Sequence, residues 1–294
     1  MRRGVWSSGP VTSPSPPLAR RRRQPRVRRV PARLHAVTRA SHRLPPFFLP
    51  SVHAAVTAEL AAPTAARPLE GSVSFFVEFL PSSSRGADFP AGGARAPARA
   101  VAVARSLERQ LRDARALDSE ALCVVPGAAV WALRVDVRVE EDAGNAADAA
   151  AAAALAALLH FRLADVTLAG RDVTVHAARA RVPRALAMHH TPVTVTLGAV
   201  PAARDGAPPV LLLDPTAEEE AAAGGAVTVA VNAHGELCGL HKTGAAALPL
   251  AALTAAARAA GEAARDILAT LRAALEAEEA ADAARATARH AGRG

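Results

Sequence analysis

Apolar and polar residues alternate with a period of two along several stretches of this chain and give way between them to runs without a strand period. In residues 131–140, Trp131, Leu133, Val135, Val137 and Val139 alternate with Arg134, Asp136, Arg138 and Glu140, which is the pattern of a half-buried strand. Residues 141–145 form a polar turn. The run that follows is almost all alanine with Leu155, Leu158 and Leu159, has no breaker, and predicts a buried helix. A strand feeding a helix is thus the organising unit.

The same unit recurs on either side. Residues 52–60 and 73–80 predict strands, the second holding Phe75, Phe76 and Phe79. After a Ser, Gly and Pro loop over residues 81–97, Val101, Ala104, Leu107, Leu111 and Ala114 predict an amphipathic helix over residues 98–117. Residues 122–125, a Pro126-Gly127 turn and residues 131–140 read as a hairpin. Residues 166–168 and 173–176 form a second, shorter one. Strands follow at residues 193–200 and 210–214, then a loop or single helical turn over residues 215–225. A further hairpin joins residues 227–231 to residues 236–241, and a long helix over residues 248–288 carries Leu248, Leu250, Leu253, Ile267, Leu268 and Leu271 as its stripe. The expected class is α+β, two β-rich halves with packed helices.

Composition changes this picture at one end only. The 294 residues carry a formal charge of +8, but residues 1–58 hold twelve arginines and no acid, leaving 23 basic against 27 acidic residues in the remainder. The body is mildly acidic, so contact with nucleic acid there would rest on a local patch. Lys242 is the single lysine beside 34 arginines, which reflects codon bias and weakens arginine content as evidence. The expected organisation is a basic, disordered Pro/Ser/Arg-rich tail over residues 1–50, a folded domain over residues 51–272, and a C-terminal helical extension and tail over residues 273–294. For the tail three readings stay open: an organelle transit peptide, a basic nucleic-acid tract, or a stretch standing in place of the true start. No run reaches the roughly 18 to 20 apolar residues of a membrane span. Cys123 and Cys238 read as buried thiols of a reducing compartment.

Residues 69–81 (LEGSVSFFVEFLP), 107–166 with Leu122-Cys123-Val124-Val125 and His160-Phe161-Arg162, 188–200 with His189-His190-Thr191-Pro192, and 211–244 together resemble the RNase PH-like ring subunits of the eukaryotic RNA exosome. The likeness covers roughly residues 52–270. It implies an RNase PH-like domain of the ribosomal protein S5 domain 2-like fold, with a first sheet expected to be incomplete because the family's opening arm and strands have no counterpart before Val52. It also implies RNase PH-like ring neighbours, S1/KH cap subunits, an associated exonuclease and RNA as partners, no membrane and no cofactor, and residence in nucleus, nucleolus and cytoplasm, with organelle targeting by the tail as the other possibility.

Active members of such a family cleave RNA from its 3′ end with phosphate as nucleophile. The resemblance implies an arginine beside a small hydroxyl residue at a helix start, which clamps the phosphate, and two acids about six residues apart for the leaving group or a metal. Here Asn145 stands for the hydroxyl residue and Ala146 for the arginine, while Glu220 and Ala226 stand for the acids. The expectation is a noncatalytic ring subunit that scaffolds the channel and contacts RNA through Arg109 and Arg112, with Arg105 one turn earlier. The alternative is that these arginines serve a composite phosphorolytic site completed by a neighbour. His189-His190, the set Cys238, His241 and His234, and the acids Glu218, Glu219 and Glu220 read as structural or solvated, and no metal is expected.

Overall fold

The computed structural model describes residues 34–39, 51–80, 83, 95–169, 172–177, 180–202 and 209–291. Its elements run β1 Leu34–Arg39, β2 Ser51–Ala61, β3 Ser72–Phe79, α1 Arg95–Leu107, β4 Cys123–Val125, β5 Ala129–Glu141, α2 Ala146–His160, β6 Arg162–Leu163, β7 Val166–Ala169, β8 Asp172–Val175, β9 Arg184–Ala185, β10 Val193–Val200, β11 Val210–Leu213, α3 Ala217–Ala222, β12 Gly225–Val231, β13 Leu237–Gly244 and α4 Leu250–Ala291. The two expected halves are two sheets. The first has the order β1-β2-β5-β3 with β4 on β5, and the second β11-β10-β12-β13.

β5 is the axis of the first sheet. It pairs antiparallel with β2, Val56 opposite Val135, and parallel with β3, Phe75 opposite Val135. Its inward residues Trp131, Leu133, Val135, Val137 and Val139 are all buried, as are Val52, Ala54 and Val56 of β2. α1 covers β3, and α2 lies beneath β1, β2 and β5. The parallel β3–β5 pair requires a crossover, and α1 with the segment behind it supplies one.

α2 also touches β10, so it is the shared floor of both sheets. Alanines make that possible. Ala150, Ala153, Ala154 and Ala157 are at most 1% exposed, and small side chains let a helix approach two layers at once. The second sheet is covered by α4, which packs on β10 and β12 and also touches α2, and whose Ala256, Ala260, Ala264, Leu268 and Leu271 are buried. Leu250, expected in that stripe, is 76% exposed, because the helix begins there and the sheet lies farther along its axis.

Two expectations change. Residues 34–39, expected within the tail, form β1, which pairs antiparallel with β2, Leu34 opposite Val56. Arginine and proline around the segment hide its short alternation, and β2 supplies the backbone partners. The rest of the expected tail lies outside the described residues, as does most of the loop over residues 81–97. The helix expected over residues 98–117 is α1 followed by a π-helical turn at Glu108–Asp113 that ends on Arg115 in left-handed backbone (φ 54°). Residues 215–225, expected as a loop or single helical turn, take the helical alternative as the six-residue α3, capped by Thr216 and Glu219 in a reciprocal pair of hydrogen bonds.

Candidate functional site

The start of α2 is where β5, α1 and α3 converge. β5 ends at Glu141, and the chain turns through Asp142, Ala143 and Gly144 into the helix. Gly144 has φ 110°, and a Cβ there would stand 2.4 Å from the Ala217 amide nitrogen. Only glycine fits both demands. The close approach lets the Ala217 N–H donate to the Ala143 carbonyl at 3.0 Å, which brings α3 over the helix start.

Helix N-termini present unpaired N–H groups and attract anions. In this protein the anion is internal. The Asn145 N–H donates to Glu220 Oε1 at 2.9 Å. Arg99 of α1 closes the other side: its guanidinium pairs with Asp142 and lies 3.4 Å from Glu220 Oε2. It also stacks 5.2 Å from the Phe79 ring centroid. Asp142 in turn accepts from the Gly144 N–H at 3.2 Å. Burial pushes the Glu220 carboxyl above its usual range, opposed by the Asn145 amide and by Arg99.

Asn145, in left-handed backbone at φ 48°, spans to the second sheet. Its Nδ2 donates to Asp148 Oδ2 at 3.0 Å and to Asp214 Oδ1 at 2.7 Å. Asp148 accepts further from the Thr196 N–H at 2.5 Å and from Thr196 Oγ1 at 2.9 Å, and that hydroxyl lies 3.0 Å from Thr228 Oγ1. Desolvation raises the Asp148 carboxyl, against the hydrogen bonds from Asn145 and Thr196. Its two oxygens fasten α2 to β10.

Of the four residues read as degenerate catalytic positions, Asn145 and Glu220 are therefore in contact. Ala146 is buried in the first turn of α2, and Ala226 pairs with Gly198 and Thr243 on β12. Strand alternation puts Ala226 on the face that Thr228 turns toward Thr196. Sequence reasoning missed Arg99, Asp142, Asp148 and Asp214. The Thr216-x-x-Glu219 capping signature was available to place α3, whereas nothing local to Arg99 marks its partners 43 and 121 residues away.

The three arginines differ in their surroundings. All are exposed. Arg112 is committed to Glu108 at 3.3 Å and Asp113 at 3.0 Å. Arg109 Nε donates to the Arg105 carbonyl at 3.3 Å, and Nη1 lies 3.1 Å from His241 Nδ1. The Arg105 side chain makes no ion pair among the described residues.

The histidine and cysteine readings can be placed as well. His189 and His190 lie just before β10, and His189 approaches Asp118 at 4.0 Å. Cys238, expected in a core strand, sits on the edge strand β13 and is half-buried. No group of three or more potential metal ligands is found among the described residues, and no described helix is long and apolar enough to cross a membrane.

Sequence comparison assigns the two sheets to the two domains of one family. Residues 51–164 match domain 1 of the 3′ exoribonuclease family, RNase PH, and residues 190–263 match its domain 2. The chain belongs to the RNase PH family. Over 196 residues it is 39% identical to the exosome complex component RRP45A of Arabidopsis thaliana, covering 66% of this chain and 61% of that protein. The exosome complex component RRP45 of Danio rerio is 38% identical over 64% of this chain and 46% of its own length, and rrp45 of Schizosaccharomyces pombe 34% over 66% and 63%. The match thus spans under two thirds of each of these relatives. Among solved structures, an archaeal exosome core superposes with a TM-score of 0.61 at 20% identity, covering 84% of this chain and 87% of that one. The Archaeoglobus fulgidus exosome with RNA bound to the active site gives 0.60 at 22% identity, covering 75% and 79%. Those likenesses are of fold.

Proposed function

We propose that this RNase PH-fold chain is a noncatalytic ring subunit of an RNA exosome, supporting 3′ to 5′ RNA processing and decay without performing phosphorolysis itself. The observation that carries the reading is the lock at the α2 start. Glu220 holds the place of an incoming anion on the Asn145 N–H, and Arg99 is spent on Asp142 and Glu220. Ala146 offers no guanidinium and Ala226 no carboxylate. A phosphate dianion approaching here would meet two acids and a cation already neutralised.

RNase PH-like neighbours pairing head to tail, S1/KH caps and a separate nuclease are the partners this reading calls for. RRP45 relatives named as exosome components support it. RNA guidance falls to Arg105 and Arg109, with Arg112 the weakest of the three because Glu108 and Asp113 already compensate its charge. Nucleus, nucleolus and cytoplasm are the compartments that fit such a subunit. Residues 51–272 act as the ring module in this reading, with residues 273–294 as an extension.

The test is the purified chain with inorganic phosphate and a 5′-labelled RNA. No nucleoside diphosphate is expected. Release by the chain alone refutes the reading, and release only with a ring partner, abolished by Arg109→Ala, transfers Arg109 and Arg112 to a composite site.

A further inference from the structure

Arg109 is exposed, yet its guanidinium is held at two points, by the Arg105 carbonyl and by the His241 ring. Arginine only donates, so His241 Nδ1 must be the acceptor and its proton must sit on Nε2. The surroundings favour that neutral form. Partial burial first, and then the positive charge of Arg109, pull the His241 pKa below its ordinary value. From β12 the residue opposite is Thr228, which carries no charge, so Arg109 on the π-helical turn is the charged group that bears on the ring.

The two residues come from different halves of the fold. Arg109 follows α1 on the first sheet, whereas His241 stands on β13 of the second. The π-helical geometry is part of the device. It widens the turn after α1, and Ala114 and Ala116 donate back to the carbonyls of Arg109 and Leu111 at 3.1 Å. Two of the five guanidinium N–H groups are occupied, and three remain for a ligand.

We infer that His241 is a positioning residue, a neutral imidazole that holds the Arg109 guanidinium between the two halves so that its remaining N–H groups meet a phosphate of single-stranded RNA. The inference rests on the reading of Arg109 as an RNA contact. A guanidinium fixed in advance loses less rotamer freedom on binding than one that swings freely. Asparagine at position 241 would keep an acceptor near the Nδ1 position, and alanine would not.

The experiment compares the full chain with Arg109→Ala, His241→Ala and His241→Asn, using a fluorescein-labelled oligouridylate of ~30 nucleotides at ~150 mM potassium chloride. The basic residues 1–58 are common to all four proteins. Thermal melts establish that each is folded. Arg109→Ala should weaken binding about tenfold and His241→Ala about threefold, with His241→Asn close to wild type. The His241 pKa, read from its imidazole NMR signals, should rise in Arg109→Ala and also when RNA neutralises Arg109 in the wild type. If Arg109→Ala weakens binding but His241→Ala does not, or His241→Asn fails to rescue, the positioning role is overturned while the RNA reading stands. If Arg109→Ala binds as wild type and RNA leaves the His241 pKa unmoved, both fall.

Discussion

Replacing Asp148 by alanine isolates the link between the halves. The carboxylate accepts from three donors, but they do not lose equally. Asn145 Nδ2 keeps Asp214 at 2.7 Å and the Thr196 hydroxyl keeps Thr228 at 3.0 Å. The Thr196 N–H, 2.5 Å from Asp148, is the donor left with nothing in its place. Leaving a buried donor orphaned costs about 1–3 kcal/mol. Relief of the desolvation that raises the Asp148 carboxyl offsets part of it, so the net loss should be about 2 kcal/mol. For a chain of this size that lowers Tm by about 4–8 °C, measurable by circular dichroism or by urea denaturation. Asp148→Asn keeps one acceptor oxygen and should lose about half as much.

The pH dependence gives this prediction a sign. The folded-state pKa of Asp148 lies above its ordinary value of 3.8. The proton-linked part of its contribution is therefore fully present below that ordinary value and lost as pH rises through the raised folded value, while the hydrogen bonds it accepts from Asn145 and Thr196 remain. Stability of the wild type relative to Asp148→Asn should grow as pH is lowered through that window. Asp148→Ala as stable as wild type at pH 7, or a wild-type advantage that shrinks with acidification, would refute the argument.

Four further outcomes follow from the same geometry. Gly144→Ala should destabilise by about 2 kcal/mol or more, since the new Cβ meets backbone of α3 and the φ is unfavourable, and a urea midpoint checks it. Thr216→Ala removes the α3 cap and should cost about 1 kcal/mol in the same assay. Arg112→Ala should change stability by less than about 0.5 kcal/mol, because both of its ion pairs are exposed. Arg162→Ala, which frees Glu279 on α4, should speed amide exchange beyond Leu271 without altering it nearer Ala256.

Much of the architecture is local and could be read directly. β5 and α2 are legible because five alternating apolar residues and an unbroken alanine run admit few other conformations. The hairpin ending in β13 is legible because its turn residues are Asn232-Ala233-His234-Gly235, and Gly235 takes φ 81°. β1 is not legible, since a six-residue strand edged by arginine and proline carries too little pattern of its own. The stripe of α4 is legible except at Leu250, where the helix begins and the sheet lies farther along its axis.

The candidate site divides in the same way. That Ala146 and Ala226 cannot supply a cation or an acid is a property of side-chain chemistry, and it belongs to the sequence alone. That Glu220 sits on the Asn145 amide, with Arg99 bridging it to Asp142, is decided by tertiary structure. These charges come from α1, the α2 start and α3, and only the glycine at position 144 lets α3 close enough for them to meet. The same holds for Arg109 and His241, 132 residues apart. Their contact depends on how the two sheets share α2, and no spacing along the chain encodes it.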